Sequence, residues 1–125
     1  MEAALVYELK SRIPEFKDEI YPTNASETAE RPYLVYARIS TKKTKTLEGF
    51  TGNNELSFMF SIMAKRYADM KSLTAKVEDF LMSLPGTRIG EENILVEDVD
   101  INNITEVWEN ELKVNRGIID FTIYF

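Results

Sequence analysis

The sequence predicts an α+β fold, with a mostly antiparallel sheet of four to five strands and two helices packed on one face. Three observations carry this. Residues 55–65 alternate apolar and polar with a period of two, which is the pattern of a half-buried strand. Residues 67–84 place Met70, Leu73, Val77, Phe80, Leu81 and Leu84 on one helical stripe, closed by Pro85-Gly86. The elements run helix, strand, strand, helix, strand, short strand, strand, an order whose economical packing is one sheet with both helices on the same side.

Residues 2–13 read as the first helix, because Leu5, Val6, Leu9 and Ile13 share a face while Glu8, Lys10 and Arg12 lie largely away from it. Pro14 disfavours helical geometry at Ile13, so the helix either ends there or kinks and runs a turn further. Residues 21–32, with Pro22, Asn24, Ser26 and Pro32, read as a loop. Tyr33 to Thr41 alternates as a strand, with Tyr33, Val35, Ala37 and Ile39 on one face and Leu34, Tyr36, Arg38 and Ser40 on the other. Residues 41–54 differ: Lys42, Lys43 and Lys45 sit among threonines, Gly49 and Gly52 follow, and Leu47 and Phe50 are the only large apolar residues. This segment is either a long loop or the tip of a protruding hairpin.

In the next strand, Leu56, Phe58, Phe60, Ile62 and Ala64 form the apolar face and Ser57, Met59, Ser61, Met63 and Lys65 the other. The helix over 67–84 would be about 27 Å long, roughly the width of such a domain. Ile94 to Ile101 reads as a strand, Asn102-Asn103 as a turn or bulge, residues 104–109 as a further short strand around Trp108, and Asn110 to Leu112 as a turn. The strand within 113–125 runs into the apolar Tyr124-Phe125, which predicts that this end is held in the sheet or in a subunit contact rather than frayed.

A chain of 125 residues without an internal repeat or linker predicts one domain with one core. The net charge of −6 argues against non-specific nucleic-acid binding. With neither cysteine nor histidine, disulfides, thiolate metal sites and the Ser/His/Asp and Cys/His catalytic constellations are excluded. Met1-Glu2-Ala3-Ala4-Leu5 lacks the basic start and apolar run of a signal peptide, and no apolar stretch approaches the roughly 20 residues that span a bilayer. This predicts folding in a cytoplasm and no membrane partner.

The cluster Glu91-Glu92, Glu97-Asp98 and Asp100 raises a Ca²⁺ or Mg²⁺ site, but it lacks calcium-loop spacing. On a strand Asp98 and Asp100 share a face with Glu97 opposite, the pattern of a solvated edge. Gly49-Phe50-Thr51-Gly52 lacks the ending of a phosphate loop. Tyr33, Tyr36, Tyr67 and Trp108 read as core or interface aromatics. No residue pair stands out as general acid and base, so the expectation is a non-enzyme with no cofactor and no metal. The lysine run reads first as a solvated loop tip; in the alternative of a partner contact, Lys42, Lys43, Lys45, Leu47 and Phe50 are the candidate residues, with protein favoured over DNA because only Phe50 could stack a base.

The ordered series Tyr21-Pro22, Arg31-Pro32-Tyr33-Leu34-Val35-Tyr36, Leu47-Glu48-Gly49, the strand Leu56–Ala64, the helix Tyr67–Leu84 and the final Asp120-Phe121-Thr122-Ile123-Tyr124 resembles the small tail-completion family of siphophages and prophages, which includes the tail terminators. It spans Leu5 to Phe125, and it is the order and spacing that carry it, each motif alone being weak. The lysine-rich stretch before Gly49 and the insert-like segment 102–112 depart from the family pattern.

The resemblance implies a structural protein of the virion tail, assembled in the host cytoplasm. As a hexameric ring, monomeric in isolation or not, it would cap the tail tube, end tube polymerisation and form the tail side of the head–tail joint. The implied partners are further copies of itself, the tail-tube protein and the head connector, with genomic DNA only passing through the lumen. A head-completion protein of the same interface is the near alternative. A small-molecule-binding α+β domain is the distant one; it needs an apolar pocket with convergent polar groups, such as one lined by Tyr36, Arg38 and Asp120.

Overall fold

A computed structural model describes residues 1–23, 32–46, 49–111 and 113–125, with the backbone alone for 40–46 and 49–53. The expected α+β architecture is present. A helix α1 (Glu2–Arg12) leads through a 3-10 turn (Pro14–Phe16) to a short strand β1 (Ile20–Pro22). Strands β2 (Tyr33–Thr46) and β3 (Gly49–Ala64) follow, then helix α2 (Tyr67–Met82), the small strands β4 (Arg88–Ile89) and β5 (Ile94–Leu95), and the long strands β6 (Asp98–Glu109) and β7 (Val114–Tyr124). The main sheet has the order β1-β2-β3-β7-β6, and β4 pairs with β5 separately. Every pairing in the main sheet is antiparallel except β1 with β2.

The two helices and one face of the sheet close a single core. The predicted stripe of α2 is buried in full, and so are Leu5, Leu9 and Ile13 of the first helix and its exit. They meet Leu56, Phe58, Phe60 and Ile62 of β3 and Ile119, Phe121 and Ile123 of β7, which alternate onto the same face. Phe121 stacks on Phe58 at 5.6 Å between ring centres and meets Phe60 edge-on at 4.7 Å, the arrangements that the ring quadrupole favours. Leu34 joins from β2. Arg12 ties the helices together: its Nη1 donates to Ser83 Oγ at 3.0 Å and its guanidinium lies 5.6 Å from the centre of the Phe80 ring.

Two glycines mark close approaches. A Cβ on Gly117 would come within 3.0 Å of Met70 Sδ and closer still to Thr74 Oγ1, so α2 sits directly on β7 there. Gly90, between β4 and β5, has φ +72°, and a Cβ there would lie 2.6 Å from the Cβ of Ala4 on α1. The β4–β5 hairpin thereby packs against α1, with Ile89 and Val96 buried.

Several sequence expectations need correction. The α2 helix ends at Met82, with Leu84 reaching the core from beyond its end. The strand expected over 94–101 is divided: β5 leaves the main sheet to pair with β4, and β6 starts at Asp98. That strand and the one expected over 104–109 are continuous through 98–109, and Asn102-Asn103 is a bulge inside it, where the register against β7 shifts between Ile101 and Asn103. The expected turn at 110–112 is seen at Asn110-Glu111, and Leu112 lies outside the described residues. The loop read over 21–32 begins as β1, and residues 24–31 lie outside the described residues.

Candidate functional site

The loop alternative for residues 41–54 is replaced by the hairpin. Strands β2 and β3 pair along nearly their whole length, with Lys42 opposite Glu55, Lys43 opposite Asn54 and Lys45 opposite Phe50. Four of the candidate contact residues thus lie on two paired strands, with a bulge between Lys43 and Lys45, and Leu47 lies outside the described residues. The ladder of β3 with β7 stops at Glu55–Tyr124, extended by the mutual bonds of Asn54 and Phe125. Past that level β2 and β3 pair only with each other among the described residues, a two-stranded ribbon about 13 Å long at the ordinary strand rise. Phe125 is held by this pair of bonds, and the carbonyl of Tyr124 accepts from Glu97 N at 2.8 Å. The apolar end is therefore part of the sheet.

Both outer edges of the main sheet carry backbone that no strand pairs among the described residues. On β2, β1 covers only Leu34 to Tyr36, with Thr23 N donating to the Tyr36 carbonyl at 2.8 Å. Beyond Tyr36 no strand pairs with that side of β2 among the described residues. On the far side, β6 pairs with β7 and with nothing else among the described residues. Three apolar side chains of β6 stand in solvent: Ile104 at 36%, Val107 at 42% and Trp108 at 52% exposure. Trp108 is therefore a surface aromatic, not a core one. Ile39, on the open stretch of β2, is 58% exposed.

The charges of β6 are unevenly engaged. Towards its end, Glu106 pairs with Lys71 of α2 at 3.3 Å and Glu109 with Arg116 Nη1 at 3.0 Å. The carboxyl of Glu106 is held below its ordinary value first by a hydrogen bond from Tyr67, then by Lys71. Towards its start, Asp98 accepts from the backbone N–H of Val99 at 2.9 Å and Asp100 from the hydroxyl of Tyr124 at 3.0 Å. That bond to Asp100 is the main reason the Tyr124 phenol is pushed up to about 12. Neither aspartate forms an ion pair among the described residues. No group of three or more acidic side chains converges to hold a metal among the described residues.

The face of the sheet away from the helices is a polar lattice with a small apolar end. Ser57 and Thr122 share a hydrogen bond of 2.9 Å, Asn102 donates to Thr122 at 3.0 Å, and Arg116 donates to Ser61 at 2.8 Å. Tyr33, Met63 and Val114 cluster at one end. Asp120 lies on this face, and its Oδ1 is buried with no partner among the described residues. Tyr36, opposite Phe60, lies on the helix-covered face, as does Arg38, which pairs with Glu2 at 3.5 Å. Tyr36, Arg38 and Asp120 therefore sit on opposite sides of the sheet and do not line one pocket. Tyr36 instead borders an open groove of about 490 Å³ beside α1, with Tyr7, Lys10 and Glu91.

Sequence reasoning missed the open β6 edge. The available signal was the phase change between Val99/Ile101 and Ile104, which a one-residue bulge explains without ending the strand.

No protein-family model matches the chain, and no curated protein matches it. Solved structures do. A chain in the virion of a native gene transfer agent particle shares the fold with a TM-score of 0.67 and 13% identity, over 95% of this chain and 90% of that one. A second solved chain shares it with a TM-score of 0.55 and 13% identity, over 98% of this chain and 87% of that one. At this identity the likeness defines a common α+β fold.

Proposed function

We propose that this chain is a structural protein of a phage-type virion, of the tail-terminator or tail-completion type. Subunits form a hexameric ring on the tail tube, end its polymerisation and present the tail side of the head–tail joint. The observation that carries the reading is the fold shared over 95% of the chain with a component of a gene transfer agent virion. The resemblance of the ordered motifs from Tyr21-Pro22 to Tyr124 to tail-completion proteins supports the same reading. Open strand edges at both sides of the sheet suit a protein that works by contact with copies and neighbours. In this role the chain carries no catalytic residue and no cofactor. Its partners are itself, the tail-tube protein and the head connector, and DNA only passes through the lumen. No helix is long and apolar enough to cross a membrane among the described residues.

The hairpin end bearing Lys42, Lys43, Lys45 and Phe50 faces a neighbour, the tube or the lumen. Changing the three lysines to serine is expected to impair tail joining; normal joining would remove that assignment. Electron microscopy of particles made without the protein tests the role itself. Overlong tails are expected. Normal-length tails detached from full heads would point instead to a head-completion protein, the reading that the same fold also accommodates.

A further inference from the structure

The two open edges of the sheet complement each other. The open stretch of β2, residues 37–46, carries Arg38, Lys42, Lys43 and Lys45 and no acidic residue. Strand β6 carries Asp98, Asp100, Glu106 and Glu109 and no basic residue. They are of similar length, 10 residues counted from 37 to 46 against 12 in β6. Lysines on an edge ordinarily guard against unwanted pairing. Strand β6 has no such guard, and it leaves Ile104, Val107 and Trp108 in solvent. Two β6 edges would repel each other, and so would two β2 edges.

We infer that β6 of one copy docks on the open edge of β2 of the next copy, so that the sheets continue from subunit to subunit. This deepens the ring reading above and rests on it for closure of the assembly; it names the faces that meet. Direction supports it. Three antiparallel steps separate β2 from β6, so they run oppositely in one subunit. In copies placed side by side in the same orientation, β6 is then antiparallel to the next β2. That brings the start of β6, with Asp98 and Asp100 outside any ion pair among the described residues, towards the basic end of β2 at Lys42–Lys45. With the next copy offset by about four residues along the strands, so that β6 meets the stretch that β1 leaves uncovered, it brings the end of β6, with Val107 and Trp108, towards Ala37 and the exposed Ile39. The bulges at Arg38/Ser40, Lys43/Lys45 and Ile101/Asn103 divide the ladder into short runs, so charge and apolar contact supply much of the selectivity. A contact between unlike edges is heterologous: it closes into a ring when the rotation per subunit divides a full turn, and otherwise continues as a filament.

The test uses two charge-reversed chains, D98K/D100K and K42E/K43E/K45E, with circular dichroism to verify that both fold. Self-association is measured by sedimentation up to about 1 mM, alone and with the tail-tube protein. Each reversed chain by itself is expected to associate at least about tenfold more weakly than the native chain, because like charges then face each other. An equimolar mixture is expected to assemble again, since each reversed edge meets its opposite on the other chain. Carbodiimide coupling of a mixture of isotope-labelled and unlabelled native chains should join segment 97–100 of one chain to 42–45 of another. Folded variants that each assemble like the native chain, a mixture that does not recover, or interchain couplings that join other segments would overturn the edge contact while leaving the ring in place. A native chain that stays monomeric both alone and with tube protein would sink the ring reading together with the edge contact.

Discussion

The α2–β3–β7 core and the pair of outer strand segments are built from the same backbone but solve opposite problems. In the core every strand edge is paired and every large side chain has found a neighbour: Phe58, Phe60 and Phe121 interlock under α2, and Gly117 lets the helix lie against the sheet. Along β6 and the outer stretch of β2, backbone groups have no strand partner among the described residues, Ile39, Ile104, Val107 and Trp108 are exposed, and charge is segregated by sign between the two strands. The difference teaches that the paired strands carry the fold, while unpaired edges leave backbone groups available for contact.

That contrast can be broken from the core side with the largest effect. Truncation of Phe60 to alanine removes the ring that meets Phe121 edge-on and leaves a cavity. It is expected to cost about 3–5 kcal/mol, read as a lowered denaturant midpoint at unchanged slope. Gly117→Ala forces a methyl group into Thr74 and Met70 and is expected to destabilise by about 1–3 kcal/mol, read in the same way. On the helix-free face, Asp120→Val substitutes methyl groups for a carboxylate whose Oδ1 is buried without a partner among the described residues. A gain of about 1 kcal/mol in unfolding free energy is expected; a loss would mean that the carboxylate has a partner in solution. At the edge the sign of the contrast reverses. Trp108→Ala is expected to leave stability within about 0.5 kcal/mol while weakening assembly on the tail, because the indole is half exposed in the subunit. A large stability loss there would place Trp108 with the core.

The smallest effect is a titration. The Tyr124 phenol, raised above its ordinary 10 to about 12 by its bond to Asp100, holds its proton more tightly in the folded chain. Its contribution is therefore complete below pH 10 and fades as pH rises towards 12. Ultraviolet titration of Asp100→Asn should move the tyrosine back towards 10, and no movement would reassign the cause.

Much of this was legible in the residues. The stripe Met70 to Leu84 and the alternation Leu56 to Ala64 each have one period and one apolar face, so burial has a single solution. The bulge at Asn102-Asn103 was also readable as turn or bulge, but the choice between them depends on whether β7 lies alongside. Lys42, Lys43 and Lys45 offered no apolar alternation, and so the choice between loop and protruding hairpin stayed open locally. The hairpin is imposed by pairing with β3. The short β1 is a parallel partner recruited from a segment with turn residues, which no local pattern announces.

By itself, then, the sequence determined the two helices, their place on one side of a single sheet, the apolar face of β3, the strand at the end of the chain and the lack of histidine and cysteine chemistry, because periodicity and residue type act over a few neighbouring positions. Tertiary structure alone decided that β3 is central, β7 interior and β6 outermost, that 41–46 and 49–54 are paired strands rather than loop, and that an acidic edge and a basic edge end on opposite sides of one sheet. Which strands become edges is set by long-range pairing, and a strand's hydrogen-bonding partner is not written in its own side chains.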